Sequence, residues 1–579
     1  MTRAPRTAGW VLLLVPLYAC AGGPAMEPAT LVLRGGKIIT VDEARPEVRA
    51  LAARGSRIVA VGTAEEVQGY IGPATEIIDL TGLTAVPGFI DGHAHFMGLG
   101  QSRMVLDLTD AQTWDDIVTR VRRAAAAAEP GQWIRGRGWH QEKWSTPPQP
   151  NVEGFPVHAA LSQASPNNPV FLEHASGHAG FVNARALAAA KITAATRNPP
   201  GGEILRDRAG RPTGLLRETA SDIAEQALAD WLATRTADAQ AADARRAIAL
   251  AVEESLRNGV TSLQDAGESF AAIDLLKQAA ADGTLGIRLW VMVRDSNETI
   301  ATRMAAYKVV GLADDHLTIA AIKKTIDGAI GSRGAWLLEP YSDLPSSTGL
   351  NTAPVEEVRA LAALAAANGV QLAVHAIGDR ANREVLDIYE AAFAANPSVK
   401  DWRWRIEHAQ HLDPQDLPRF AQLGVIASMQ GIHATSDAPY VRARLGDARV
   451  AEGGYVWRKL IDSGATVTNG TDAPVERISP IQNFHASVTR RQGDGSLFFP
   501  SQRMSRVEAL RSYTLNAAYA AKEEHLKGSL AVGKLADITV LTRDIIVAPD
   551  NDLPSTEVAY TIVGGKVMYR GAAAGSGGR

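Results

Sequence analysis

The sequence predicts an α/β fold in which a small β domain lies beside a central parallel sheet or barrel. In the centre of the 579-residue chain, apolar runs typical of strands alternate with helical stretches, the pattern of repeated βα units. Both ends are instead rich in short strands. Hydrophobic residues make up 46% of the chain and charged residues 21%, as in ordinary globular proteins. These three observations exclude a fibrous or wholly disordered chain.

Residues 1–20 have the features of an export signal. Two arginines precede an apolar run that is too short to span a bilayer. The only cysteine, Cys20, follows Ala19, and the segment resembles a bacterial lipoprotein signal peptide whose cysteine is lipidated after cleavage. An ordinary secretory signal cleaved near Ala19 or Ala25 is the alternative. We therefore expect the protein in the bacterial cell envelope, lipid-anchored in the periplasm or at the outer membrane, or else free in the periplasm.

The β-rich ends predict one small composite β-sandwich, built from residues 29–86 and 528–571. Each part contains short apolar or alternating runs separated by Gly, Pro or Asp, which is the pattern of short strands. These runs are 31–40, 47–52, 57–62, 528–533, 536–541 and 560–568.

Residues 87–527 carry the βα pattern. Helical stretches at 241–257, 355–368 and 383–395 alternate with apolar runs. Residues 100–220 fit this rhythm poorly because they are rich in Trp, Pro, Gly and Asn. We expect them to form an insertion near the mouth of a barrel.

Charge and cysteine content limit the classes of partner. The net charge is −4, so the chain lacks the basic footprint that phosphate neutralisation requires, and we expect no nucleic-acid partner. One cysteine excludes a disulfide framework and any multi-thiolate zinc or iron–sulfur site. A small-molecule substrate remains, with membrane contact only through the lipid at Cys20. The oligomeric state is left open, with a homo-oligomer as one option.

Metal-ligating residue types recur where apolar strands end. One strand ends in His93-Ala-His95, whose imidazoles lie on the same side and suit a divalent ion. Later apolar runs end in His375, His408 and Asp472. In a (β/α)₈ barrel these positions meet at the C-terminal face, where active sites lie. The pattern therefore predicts a metal site there.

With these motifs the chain resembles the amidohydrolase superfamily, in the branch of N-substituted formamide deformylase and YtcJ-like metal-dependent hydrolases. The likeness runs in order over about residues 30 to 570. Departures are His140 after Trp139 and Gly431 after Gln430, where relatives often have Asp and Pro. The matching segments are 87–95, 136–139, 177–178, 182–183, 201–202, 259–262, 327–328, 331–333, 375–381, 405–410, 428–430 and 470–474.

This resemblance implies a distorted (β/α)₈ TIM barrel over residues 87–527 that binds one or two divalent ions, which we expect to be zinc. It implies metal ligands from four strands: His93 and His95 from the first, His375 from the fifth, His408 from the sixth and Asp472 from the eighth. Asp472 is also the implied general base.

A lysine on the fourth strand is the remaining implied ligand. In many relatives it is carboxylated and bridges two ions, and the family spacing to Asp327-Gly328 selects Lys323 over Lys324. Alternation also places these two lysines on opposite sides of the strand. The alternative is an unmodified Lys323 paired with Asp327, with a single metal ion in the site.

The implied function is that of a metal-dependent amidohydrolase. It would cleave an amide or formamide C–N bond, other than a peptide bond, in a small, partly apolar molecule through metal-activated water. An esterase or lactonase using the same site is the first alternative, and a non-catalytic envelope binding protein is the second. Candidate substrate-binding residues are Trp139, His178, Arg333, Gln430 and His433, with His140 and Trp144 beside them. Trp139 and Trp144 form an aromatic wall or anchor the insertion; Arg333 binds a substrate carboxylate or forms a structural ion pair.

Overall fold

A computed structural model describes residues 1–2 and 26–575, so the predicted signal peptide and Cys20 lie outside the described residues. Its centre is a sheet in which eight strands, β1 to β8, form parallel neighbouring pairs in chain order, and a ninth short strand pairs antiparallel with β4. β1 and β8 nearly close the sheet, since a Cβ at Gly92 would lie 2.7 Å from the Asn469 carbonyl oxygen. The predicted α/β barrel is confirmed. The strands are β1 Phe89–Ala94, β2 Val260–Glu268, β3 Arg288–Val293, β4 Leu317–Thr325, β5 Gln371–Ala376, β6 Arg405–His408, β7 Ile426–Met429 and β8 Val467–Asn469.

Helices pack on the outside of the barrel and bury a continuous apolar core against the strands. Their ends have identifiable signals: Ser296 caps the helix Asn297–Tyr307, and Gly369 ends the helix Val355–Asn368 with a φ of 58°. The helices are Phe96–Ser102, Ala237–Arg257, Phe270–Ala281, Asn297–Tyr307, Leu312–Asp315, Val355–Asn368, Asp379–Ala395, Leu417–Leu423, Gly431–Ser436, Ala438–Leu445, Asp447–Gly453, Trp457–Asp462, Pro480–Thr489, Arg506–Ser512 and Leu515–Ala520. The strand Val309–Gly311 pairs with β4, and 3₁₀ turns cover Pro500–Gln502, Asp550–Ser555 and Ala572–Gly575.

Strands from both ends of the chain form one mixed sheet of eight strands. The short helix Ala64–Gln68 packs on it. Two details differ from the sequence expectation. Residues 528–533 form no strand, because Gly528 and Gly533 have φ values of 89° and 91°. The run 560–568 is a hairpin that turns at Gly564 and Gly565. The strands are Leu31–Ile39, Glu47–Arg54, Arg57–Gly62, Glu76–Asp79, Thr84–Pro87, Ile538–Leu541, Val558–Val563 and Lys566–Arg570.

The insertion lies between β1 and β2 and has its own core. Six strands form a mixed sheet, and helices cover it. Arg137 donates a hydrogen bond of 2.8 Å to the Pro474 carbonyl oxygen, which ties the insertion to the barrel mouth after β8. Its strands are Leu106–Asp107, Ile134–Trp139, Val170–His174, Ala179–Val182, Gly202–Arg206 and Pro212–Glu218, with a separate hairpin at Asn151–Val152 and Phe155–Pro156. Its helices are Trp114–Ala127, Gln141–Lys143 (3₁₀), Ala159–Ala164, Ala184–Ala189 and Thr219–Ala233.

A buried ion pair joins the terminal sheet to the base of the barrel. Arg288 Nε, at the start of β3, lies 2.7 Å from Asp537 Oδ2 beside the terminal strand Ile538–Leu541, and both side chains are at most 4% exposed. Among the described residues, no helix combines the length and apolar character needed to cross a membrane.

Candidate metal centre

Three of the predicted ligands meet where β1 and β8 end. Asp472 Oδ1 lies 3.4 Å from His93 Nε2 and 3.2 Å from His95 Nε2. Backbone contacts fix this geometry, since the Asp472 N–H donates to the His93 carbonyl oxygen at 2.7 Å. Asp472 has a φ of 56°, a strained value of the kind that clusters at functional sites.

The other carboxylate oxygen of Asp472 faces the ends of β5 to β7. It lies 4.0 Å from His408 Nδ1. Donor atoms of Asp472, His408 and His433 lie within 4.8 Å of one another, as do those of Asp472, His93 and His95. The ring of His375 is 4.4 Å from that of His408. The structure thus brings His93, His95, His375, His408 and Asp472 together.

Buried acceptors orient two of these histidines. The His93 Nδ1–H donates to Glu407, whose side chain is fully buried. Arg405 Nε lies 2.7 Å from Glu407 Oε1 and holds that carboxylate in place. The His408 Nδ1–H donates to Gln430 Oε1 at 2.9 Å, so Gln430 lies behind the site. This arrangement leaves Nε2 of each ring free, as is usual for histidines that bind metal.

Two aspartates support the backbone around the ligands. Asp91 Oδ1 accepts from the Thr471 N–H at 2.9 Å, next to Asp472. Asp327 accepts from the backbone N–H groups of Ile377 and Gly378 at 3.0 and 2.8 Å. Burial raises the pKa of Asp327 to about 7. Because its hydrogen bonds go to the backbone after β5, the alternative in which Asp327 pairs with Lys323 is not seen.

The electrostatics favour neutral imidazoles at His95, His375 and His408 beside an ionised carboxylate. Burial opposes charge on His93, but Glu407 and Asp472 raise its pKa. Burial lowers the pKa of His95 to about 4 and holds the pKa values of His375 and His408 well below the ordinary range. Burial opposes ionisation of Asp472, but the adjacent rings of His93 and His95 hold its pKa well below its usual value. Neutral nitrogen and anionic oxygen are the forms that bind cations.

Lys323 lies on β4 and lines the same cavity. Its side chain is 3% exposed, and its ammonium group makes no hydrogen bond or ion pair with any described residue. Burial lowers the pKa of Lys323 to about 8. An unpaired buried amine is costly and is usually found in its neutral form.

Whether a metal ion fits these residues can be judged from buried nitrogen and oxygen atoms that have no hydrogen-bond partner. His93 Nε2, His375 Nε2 and Asp472 Oδ1 are buried and make no hydrogen bond with a described residue. Such groups are normally paired. All three belong to the predicted ligand set, and a divalent cation between His93, His95 and Asp472 would satisfy the first and the last of these atoms. The imidazole and carboxylate donors suit zinc.

Two cavities meet at this centre, and His178, His375, His408 and Asp472 line both. The larger, of about 870 Å³, extends between the barrel mouth and the insertion. The smaller, of about 50 Å³, is also lined by His140, Gln410, His433 and Tyr440. Gln410 Nε2 lies 2.9 Å from His433 Nδ1. Of the substrate-binding candidates, His178 and His433 therefore face the centre.

Trp139 and Arg333 line neither cavity. Trp139 is fully buried in the core of the insertion, where its indole N–H donates to the Leu172 carbonyl oxygen at 3.0 Å and its ring stacks on Trp144. It anchors the insertion, so the expected aromatic wall is not seen. Arg333 Nη2 lies 3.0 Å from Asp343 Oδ2, the structural ion pair given as its alternative.

Two functional neighbours were not among the sequence-predicted site residues. Glu407 is 314 residues from His93 in sequence, and Glu218 belongs to the insertion and bonds His178 at 2.8 Å. The motif 405–410 contains Glu407, but nothing in the sequence shows that its carboxylate contacts His93. Glu218 ends an insertion strand and carries no local motif.

Known proteins resemble this chain over nearly its whole length. Protein LONG AFTER FAR-RED 3 of Arabidopsis thaliana is 33% identical, covering 94% of this chain and 92% of that protein. Putative amidohydrolase YtcJ of Bacillus subtilis is 30% identical, covering 93% of this chain and 99% of that protein. N-substituted formamide deformylase of Arthrobacter pascens is 30% identical, covering 93% and 98%.

A solved structure and a family model also match most of this chain. The crystal structure of an uncharacterized metal-dependent hydrolase from Pyrococcus horikoshii aligns with a TM-score of 0.71 and 26% identity, covering 90% of this chain and 99% of that one. The model of the amidohydrolase family matches residues 76–569. The chain therefore belongs to the metal-dependent amidohydrolase family, in the branch of YtcJ and N-substituted formamide deformylase.

Proposed function

We propose that the protein hydrolyses a non-peptide amide or formamide C–N bond in a small, partly apolar molecule. The observation that carries this proposal is the cluster of imidazoles around the Asp472 carboxylate, which lies where two cavities meet at the barrel mouth. Family membership supports it, since one relative is named for removing formyl groups from N-substituted formamides.

In this proposal His93, His95, His375, His408 and Asp472 hold one or two zinc ions. A bound divalent ion lowers the pKa of a water molecule to about 7 and polarises a carbonyl oxygen. Asp472 accepts the proton of the attacking water and returns it to the leaving nitrogen.

Lys323 is proposed to be carboxylated and to bridge two ions. Its burial, its lack of a partner and its pKa of about 8 support this, because only the neutral amine reacts with carbon dioxide. The carbamate supplies two oxygens on the side of the cavity where β4 ends.

The two cavities suggest how an amide lies in the site. The smaller cavity, of about 50 Å³, is far smaller than the other, so we place the acyl group there and expect a short one, such as formyl, to fit best. The larger cavity, of about 870 Å³, has room for the amine portion. We therefore favour formamides over longer acyl amides.

A matched substrate series tests this assignment. We expect zinc-loaded enzyme to hydrolyse N-formylbenzylamine with a higher kcat/KM than N-acetylbenzylamine, and N-hexanoylbenzylamine least. The first extension adds one carbon and should cost about tenfold, since one methylene is worth about 1–3 kcal/mol, and the second adds four carbons and should cost more. Benzyl formate is the matched ester, and its exclusive hydrolysis would establish an esterase. Tight binding of every compound without turnover would establish a binding protein.

We further propose that Cys20 carries lipid and anchors the protein in the bacterial envelope. The basic start, the short apolar run and the cysteine after Ala19 support this. Metabolic labelling with a fatty-acid probe should mark wild type and not the control Cys20→Ser. Equal labelling of the two, or wild type found entirely in the soluble periplasmic fraction, would favour an ordinary cleaved signal.

A further inference from the structure

The insertion extends to the metal centre through His178. Its ring lies 4.9 Å from the ring of His375, and the residue lines both cavities. His178 Nδ1 lies 2.8 Å from Glu218 Oε2, so the neutral ring that donates to this carboxylate has its proton on Nδ1. Burial opposes charge on the ring, but Glu218 raises the pKa of His178. His178 Nε2 makes no hydrogen bond with a described residue and carries the free lone pair.

The backbone of Glu218 is strained, and the residues around its carboxylate leave space for it. It has φ 49° and ψ −131°, values that L-residues rarely adopt. Its carboxylate fills space left by two glycines, since a Cβ at Gly328 or Gly334 would lie 2.0 Å from Oε1. Ser332 Oγ donates to Oε1 at 3.3 Å. The barrel loop after β4 is thus shaped around this carboxylate.

We propose that Glu218 is a positioning residue that holds His178 so that Nε2 accepts a hydrogen bond from the N–H of the scissile amide. The inference rests on the proposed hydrolysis of amides and narrows it to secondary amides, which have this N–H. An ester or an N-methylated amide offers no donor and would leave Nε2 unpaired. The insertion therefore sets the preference for amide over ester, and the same contact holds the leaving nitrogen near Asp472.

The test compares N-formylbenzylamine with N-formyl-N-methylbenzylamine at pH 9, because Glu218 raises the pKa of His178 and the proposed contact needs the neutral ring. We expect His178→Phe and Glu218→Gln each to lower the secondary-to-tertiary ratio of kcat/KM by about tenfold, the worth of one neutral hydrogen bond. The double variant should lower it no further, because the two residues act as a unit. Glu203→Gln, in the same insertion sheet beside Arg217, is the matched control and should leave the ratio unchanged.

Two readouts separate positioning from a structural role. Side-chain ¹⁵N spectra of histidine-labelled protein should show His178 with its proton on Nδ1, and Glu218→Gln should shift the proton to Nε2. Glu218→Gly should lower the secondary-to-tertiary ratio of kcat/KM, while Tm stays the same or rises because glycine relieves the strained φ. A drop in Tm with an unchanged ratio would make Glu218 structural.

Other outcomes overturn the proposal directly. Loss of zinc from His178→Phe would make His178 a metal ligand, and additive effects in the double variant would uncouple the pair. If wild type hydrolyses no amide, the proposed function fails. The inference is then decided by binding: the preference for the secondary over the tertiary amide is measured as a ratio of affinities in wild type and in His178→Phe. Equal preference in both proteins would refute it.

Discussion

At the scale of single residues, Asp472 connects two groups of histidines. One of its oxygens contacts His93 and His95 and the other faces His408. These neighbouring imidazoles favour its ionised state against the cost of burial. In the proposed function this carboxylate is both a metal ligand and the proton acceptor. A variant that removes its charge and keeps its shape separates the two roles.

We expect Asp472→Asn to lower kcat by about 10²–10⁴-fold, the usual contribution of general acid–base catalysis, with little change in KM. Zinc content measured on the same sample shows whether metal is retained. The matched control is Asp494→Asn, at an exposed turn, which should keep wild-type activity. A zinc-replete Asp472→Asn enzyme working within a few-fold of wild type would mean that another residue is the base.

Single residues also show the limit of sequence inference. The ligand histidines were predictable because each ends an apolar strand, a local pattern. Glu407 and Glu218 depend on contacts between distant segments, which no spacing reveals. The position of Trp139 was ambiguous for a related reason. A tryptophan in a Gly- and Pro-rich stretch can line a cavity or pack in an interior, and the sequence does not show that the insertion has a core of its own.

At the scale of elements, strands were predicted better than the sheets they form. The runs ending in His375 and His408 became β5 and β6, and the stretch containing Lys323 became β4. The run 528–533 failed because positive φ at its glycines breaks the extended backbone. Alternation along β4 places Lys323 toward the cavity, while Lys324 pairs at 3.1 Å with Glu357.

Because Lys323 and Lys324 lie on opposite sides of β4, they provide a matched test of the proposed metal bridge. Lys323→Met keeps the length of the side chain but cannot be carboxylated, and we expect its bound zinc to fall from two ions to one. Lys324→Met is the matched control and should keep both. Bicarbonate should aid reconstitution of metal-free wild type and have no effect on Lys323→Met. Electron density ending at a bare amine beside a single zinc would refute the bridge.

At the scale of the whole molecule, the terminal sheet and the barrel are joined by the Arg288–Asp537 pair. Although burial opposes ionisation, Arg288 lowers the pKa of Asp537. Removing one partner of a buried pair typically costs about 3–5 kcal/mol, because the other charge is left unpaired. Asp537→Ala should therefore lower Tm by several degrees in calorimetry. Asp544→Ala, which removes a partly exposed partner of Lys37, should cost about 1 kcal/mol or less.

The pH dependence of this difference identifies its cause. A carboxylate with a lowered folded-state pKa adds stability above its unfolded pKa of about 3.9, and this stability is lost as the pH falls through the folded pKa. The gap in Tm between wild type and Asp537→Ala should thus stay constant from pH 8 to 5 and shrink below about pH 4. Metal content and the site distances should not change in the variant, since the pair lies at the base of the barrel and the ligands at its mouth. A gap that persisted undiminished in acid would assign the loss to packing of the Asp537 side chain instead of its charge.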